Sequence, residues 1–427
     1  MSAQSSASRI AVPSKPGTPG DWLTPSEREE VTDKSLGRGL SIVGIHFALY
    51  FATIWGAVAP LPVVVNILFG IANGALIGLL FLIGHDGGHN AFVPGRGWNK
   101  WITRAVFVPC LHSYSQWDVV HHKFHHANTN LKGHDHVWPP MSKQEFDEAS
   151  RPRQWLERFY RGPLGPVLYY WTEFWAPKLV IPVAKEMRID WRRHVGSSLF
   201  VIAVGGGMIV FIGWLGSTLA PARPLWQTML VGWVLPFAVW NYLMAMSIYL
   251  QHNHPGVAWF DRRDEWSFYR GGIRGSVDVE LPFRFLPLFS WVMLHPSHHA
   301  LPSVPIYRLP EADEKLIAAY GDDIVRYRLS FAKYREIYRA CKLFDYRAKQ
   351  WTDFNGVPTA EPVKGLEGAP LADQENHNQR KRPKYVQAGN PRNVPGREAP
   401  VDQPAEPRRR HAGGQDHQRD DKRSNSA

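Results

Sequence analysis

Three long stretches of this chain contain no Asp, Glu, Lys or Arg: Gly39–Gly84, Val195–Ala222 and Pro224–Phe260. A bilayer core of about 30 Å takes about 20 apolar residues as a helix. Inside it every backbone polar group must be satisfied within the segment, which leaves the helix as the natural spanning form. The first stretch predicts two spans, at about 40–59 and 63–84, broken at Pro60–Pro62. The other two predict one span each, at about 197–220 and 225–250, hinged at the "PARP" of 221–224. The expected fold class is an all-α membrane protein, with four transmembrane helices in two hairpins plus interfacial and cytoplasmic helices. Long buried helices of a soluble protein are the alternative, and uncharged runs of this length argue against it.

Charge gives the orientation. The two hairpin turns carry a single cation, Arg223, whereas the loop from His85 to His194 carries many, from Arg96, Lys100 and Arg104 to Arg192 and Arg193. Lys and Arg mark cytoplasmic loops, so the turns should face outward and everything else, both termini included, the cytoplasm. An anionic leaflet would meet part of the net charge of +11. No nucleic-acid motif accounts for the rest, and nucleic acid is not an expected partner. Two cysteines, Cys110 and Cys341, make no disulfide framework.

The 427 residues divide into three parts. Residues 1–35 are polar, without the apolar core of a secretory signal, and are expected to be a disordered leader. Residues 36–350 form the membrane domain. Within it, 98–111 and 163–184 suit helices lying in the interface, and 311–349 suit cytoplasmic packing helices. Residues 351–427 read as a disordered basic tail, with "QRKRPK" (379–384) and "RRRH" (408–411) in it.

Histidines then mark the chemistry. His85 and His89 form H-x3-H at the end of the second span; His122, His125 and His126 form H-x2-HH in the loop that follows; His295, His298 and His299 repeat H-x2-HH after the fourth. Residues three and four apart share a helical face, so each group can aim its rings at one point. Neutral imidazole binds iron, zinc and copper. Eight ligands are too many for one ion and suit two, and an even number of spans puts all three groups on one side of the membrane. A cation between the rings also explains how "HHKFHH" (121–126) tolerates its crowding. His122 is favoured over His121, which is held as a backup ligand or an outer hydrogen-bond donor. His252, nearer the helix end than His254, is the candidate ninth ligand. His46 reads as a core residue, and His112, His134 and His136 are candidates for supporting roles. His194, His377, His411 and His417 read as solvated.

"HDGGH", "HHKFHHANTN" and "HPSHHALPSVPIY" resemble the three histidine boxes of the integral-membrane fatty acid desaturases. "IYLQHNHPG" and "FDRRDEWSFYRGGIRGSVD" are similar to the segment before the third box in the delta-12 (omega-6) branch. The resemblance covers about residues 36–350. It implies two Fe ions on the cytoplasmic face, held by His85, His89, His122, His125, His126, His295, His298 and His299, with His252 as the extra ligand. It also implies an O2-dependent reaction that puts a cis double bond into the acyl chain of a lipid. The sequence contains no G-x-G-x-x-G, no cysteine quartet and no fused cytochrome b5 domain, "HPGV" (254–257) lacking the second Gly of a haem motif. Electrons would therefore come from a separate ferredoxin or cytochrome b5-like protein. A hydroxylase, ketolase or alkane monooxygenase would use the same ligands. A metal transporter would carry its ligands within the spans.

Overall fold

In the computed structural model, which describes residues 22–180, 192, 194–282 and 286–366, the uncharged stretches wind into four helices long and apolar enough to cross a membrane. The first is Leu36–Val58 and the second Val63–Gly88. The third is Val195–Leu219, and the fourth runs from Leu225 to His252 with a π-helical turn at Leu230–Val234. The second span is the centre of the bundle: 67% of its most apolar window is buried, against 22% for the third.

Small and amide side chains let the spans approach. Asn66 Nδ2 donates to the Gly56 and Ala59 carbonyls at 2.8 and 3.0 Å, and Asn73 Nδ2 to the Tyr50 carbonyl at 3.0 Å, which ties the second span to the first. In a medium without water such bonds have no competitor, and small residues provide the close contact. Arg223, the one cation of the hairpin turns, donates to the carbonyls of Val58, Ala59 and Leu61 and to Asn66 Oδ1. It therefore satisfies carbonyls that the end of the first span leaves open and joins the two hairpin turns at one end of the bundle.

At the opposite end lie the shorter elements. Helix Arg96–Phe107 buries Ile102, Val106 and Phe107 against the second span and turns Trp98 and Trp101 outward, as interfacial helices do. Helix Arg151–Tyr160 likewise exposes Trp155 and Phe159.

Three expectations need revision. Residues 311–349 are not helical throughout: after helix Leu309–Tyr320, Val325–Arg328 is a strand pairing in parallel with Val277–Glu280, and helix Phe331–Ala340 follows. Alternate half-burial of Val325 and Tyr327 suits a strand, a period hidden among the charges. Order also continues past residue 350. Gln350–Thr352 pairs antiparallel with Leu343–Asp345, and the buried Trp351 donates its indole N–H to the Val257 carbonyl at 3.0 Å. Before residue 36, Pro25–Thr32 is a helix with a Thr24–Glu27 capping box, and Glu27 and Glu30 reach Lys315. The expected leader 1–21 and tail from 367 onward, with His377, His411 and His417, lie outside the described residues.

Candidate metal centre

The end of the second span brings in the first two rings. His85 is buried and His89, four residues on, stands at the helix C-terminus. Gly88 between them is required by packing, because a Cβ there would lie 2.1 Å from the ring of Trp117. That Trp117 ring stacks on His121, centroids 4.5 Å apart.

The next group sits on an unusual winding. Val119–His126 is π-helical, with i→i+5 hydrogen bonding of the kind that recurs at functional sites. Residues five apart then converge: His121 and His126 bring their Nε2 atoms to 3.0 Å. A 3.6-residue period places His122, His125 and His126 together; the wider turn directs them differently.

The rings collect into two groups. His85, His89, His121, His126 and His298 form one, and His125, His252, His295 and His299 the other, with one nitrogen from each ring within 4.8 Å of the rest of its group. His252 is the last residue of the fourth span and touches His295 Nε2 with its own Nε2 at 3.0 Å. The short helix His295–Ala300 serves both groups: His295 and His299 meet at 3.0 Å, and His298 meets His126 at 3.1 Å. The structure thus gathers eight of the nine predicted rings, His252 included, and brings His121 into the five-membered group in place of His122.

His122 lies one layer out. Its Nε2 is 2.9 Å from His89 Nδ1, and its Nδ1 is 2.8 Å from Asp118 Oδ1. His254 stacks on Tyr327, away from both groups.

Hydrogen bonding does not explain this convergence. An imidazole nitrogen has one in-plane direction, occupied by either a proton or a lone pair. Yet His121 Nε2 faces both His89 and His126, and His295 Nε2 faces both His252 and His299, all at 3.0 Å. Two nitrogens at right angles, each about 2.1 Å from one cation, stand about 3.0 Å apart. Burial, reinforced by neighbouring rings, holds His89, His121, His126, His295, His298 and His299 below the ordinary imidazole range, so they stay neutral and able to donate a lone pair. The donor set fits two cations of the iron, zinc or copper type.

Outer contacts orient the rings, and several involve residues that the histidine pattern gave no reason to single out. Asp135, fully buried, faces His125 Nδ1 with both oxygens at 3.2 Å and accepts the N–H groups of Asn130 and Val137. Burial alone would raise its carboxyl, but His125, His252 and the Asn130 N–H hold it below the usual range. Thr129 Oγ1 lies 3.2 Å from His299 Nδ1. Asp86 lies beside His85 at 3.5 Å and accepts the Ile306 N–H, joining the first box to the segment after the third. A carboxylate inside "HDH" or "HDGGH" is the available sequence signal, since metal-bound imidazoles commonly give their second N–H to one. Of the weaker candidates, His134 is exposed, His136 packs its ring 5.3 Å from Phe124, and His194 is buried beside Ser115 rather than solvated.

Both groups border one largely apolar cavity. Phe81, Trp240, Met244, Ile248, Phe289 and Val292 line it, together with His85, His121, His125, His252 and His295. Two polar groups of its wall satisfy each other. His112 donates Nδ1–H to the Cys110 carbonyl at 2.7 Å and accepts the Tyr170 hydroxyl at Nε2, 3.0 Å away. Burial pushes the His112 ring down to about 4, so it stays neutral.

The fatty acid desaturase family pattern matches residues 42–331. This chain belongs to the fatty acid desaturase family. It is 27% identical over 262 residues to an sn-1 acyl-lipid omega-3 desaturase (ferredoxin) of Synechocystis, across 60% of this chain and 68% of that one. It is 26% identical over 280 residues to a chloroplastic omega-6 fatty acid desaturase of Arabidopsis thaliana (64% and 58%). A third relative, an sn-1 oleoyl-lipid 12-desaturase of Picosynechococcus, shares 23% over 298 residues (68% and 79%). The matched stretch thus spans less than two thirds of the Arabidopsis protein. Family membership makes this desaturase an oxidoreductase of lipid metabolism, built into a membrane.

Proposed function

We propose that this desaturase introduces a cis double bond into the acyl chain of a membrane lipid, in an O2-dependent reaction of the delta-12 (omega-6) type. Two Fe ions would be held by His85, His89, His121, His126 and His298 on one side and by His125, His252, His295 and His299 on the other. One observation carries the reading: nine imidazoles gather in two groups, and five of them, drawn from both groups, line an apolar cavity. A cavity with such walls suits a hydrocarbon chain, and neutral nitrogen donors suit the metals.

The balance of the reaction is simple. A –CH2–CH2– pair loses two hydrogens, and O2, two electrons and two protons give two waters. Bound between the rings, the irons supply the O2 reduction that an unactivated C–H bond requires.

The protein's own part is binding, orientation and exclusion. Phe81, Trp240, Phe289 and their neighbours hold the chain by contact and keep bulk water out. Asp135 fixes the His125 ring with Nε2 turned inward. His122 supports His89 from outside, passing its Nδ1–H to Asp118. The His112–Tyr170 bond satisfies two polar groups that would otherwise hold water against the substrate.

The hairpin turns and the histidines lie at opposite ends of the bundle. With the cations concentrated on the histidine side, this supports a cytoplasmic active site. The electron donor would be a separate ferredoxin or cytochrome b5-like protein; ferredoxin stands in the name of the Synechocystis relative.

Expression in a host lacking polyunsaturated lipids, followed by fatty-acid profiling with double-bond localisation, tests the proposal. A new cis double bond at the delta-12 position is the expected product. Gain of one oxygen instead of loss of two hydrogens would replace the desaturase reading with a hydroxylase.

A further inference from the structure

Resting on the proposed reaction, the geometry points to an electron-entry site for an acidic one-electron carrier protein, in which Trp266 and Thr129 lead to His299 and Arg263 and Lys123 receive the partner. The reaction consumes two electrons, and every ring of the four-histidine group is buried, so a carrier protein needs a contact route through a few residues to reach it.

One such route starts at the surface. Trp266 is partly exposed, and its indole N–H donates to the Thr129 carbonyl at 2.8 Å. Thr129 itself is fully buried and places its hydroxyl 3.2 Å from His299 Nδ1. Two hydrogen bonds through a single residue therefore join a surface indole to a ring of the four-histidine group. The fold keeps room for this contact. A Cβ on Gly271 would lie 2.2 Å from Trp266 Nε1 and 2.3 Å from the Thr129 carbonyl oxygen, so glycine at 271 is what allows the two to meet.

The surface around the indole is suited to an acidic partner. The Arg263 guanidinium lies 4.3 Å from the centre of the Trp266 ring and is held by Asn128 Oδ1 at 2.8 Å. Arg263 and Lys123 are exposed, and neither is in an ion pair among the described residues. Nearby carboxylates are largely neutralised: Asp264 by Arg262, and Glu265 by Lys349. Asp261 remains exposed at the edge. The other approach, past His122 to the five-histidine group, is guarded by the Asp118 carboxylate, which would repel an acidic carrier.

In each transfer the carrier loses one electron and the metal centre gains one, with no bond made or broken in the route residues. Trp266 and Thr129 act as a path, and Arg263 and Lys123 as docking groups.

The test uses the full iron-loaded chain in lipid nanodiscs with reduced [2Fe–2S] ferredoxin as probe. Arg263→Glu should weaken ferredoxin binding on the order of tenfold at low salt, with the difference shrinking as salt rises. Lys100→Glu, an equal charge change on a different exposed helix, should leave binding near wild type. Trp266→Leu should leave ferredoxin affinity and iron content unchanged while slowing reduction by bound ferredoxin several-fold; reduction by dithionite should be unaffected. Equal weakening by Lys100→Glu and Arg263→Glu, or wild-type reduction in Trp266→Leu, overturns the assignment. Failure of wild-type protein to bind iron or desaturate with a chemical reductant would instead overturn the underlying reaction.

Discussion

The two histidine groups differ in how they are enclosed. The four-membered group of His125, His252, His295 and His299 is buried at every position, and its outer contacts are the fully buried Asp135 and Thr129. The five-membered group includes the partly exposed His89 and His121 and is backed by His122, whose partner Asp118 is itself 43% exposed. A buried carboxylate acts at low effective dielectric, whereas water screens an exposed one. The sealed group should therefore depend on its supporting carboxylate far more than the open one does.

Removing a ligand should have the largest effect. His295→Ala and His298→Ala each take a ring from a different group, and each should abolish product while the protein remains membrane-inserted, measured by lipid profiling and membrane fractionation. Within the second box, His121→Gln should be nearly as damaging as these, and His122→Gln milder. The reverse order would mean that the π-helical reading of residues 119–126 is wrong.

Next come the supporting carboxylates. Asp135→Asn should cost about 10–100-fold in metal affinity, the usual effect of losing such a partner. Asp118→Asn should cost clearly less. Competition with a calibrated chelator reads both, and equal losses would erase the distinction between the groups.

Cavity shape is subtler. A Cβ at Gly78 would meet Phe289 and Trp240 at 3.5 and 3.7 Å, ordinary contact distances, so a larger side chain can be seated without backbone strain. Gly78→Leu should direct the rest of its side chain into the cavity and shift the preferred substrate to shorter acyl chains in competition assays.

The smallest effect concerns pH and metal-free protein. Unfolded histidine takes up its proton near about pH 6.5, whereas burial holds His89, His121, His126, His295, His298 and His299 below that value when folded. The unfolded state then binds more protons as pH falls through that range, and stability should decline, by at most about 1.4 kcal/mol per pH unit for each ring. Thermal unfolding of the metal-free protein should show the decline, and metal should suppress it.

Much of this was legible in the chain. Uncharged length marked the four spans, because a run of that length without a charge matches the thickness of a bilayer core. Spacing marked the three histidine boxes. The choice of His121 over His122 was not legible, since a π-helical turn has no periodic signature distinct from a helix over so few residues. Asp135 and Asp86 were hidden for a different reason: a carboxylate becomes a support through the ring it faces, a contact made only by folding. The strand Val325–Arg328 was masked by charged residues at its exposed positions, which look equally at home on a helix. Trp351 likewise sits in a polar stretch, and only its buried contact with Val257 shows that the ordered domain extends past it.

The central claim is that two separate sets of imidazoles each hold one ion. Iron quantified per chain in purified wild type, His295→Ala and His298→Ala tests it most directly. Two irons per chain in wild type and close to one in each variant, with different spectroscopic signatures for the iron retained, is the predicted result. One iron or none in wild type, or the same remaining iron in both variants, would contradict it.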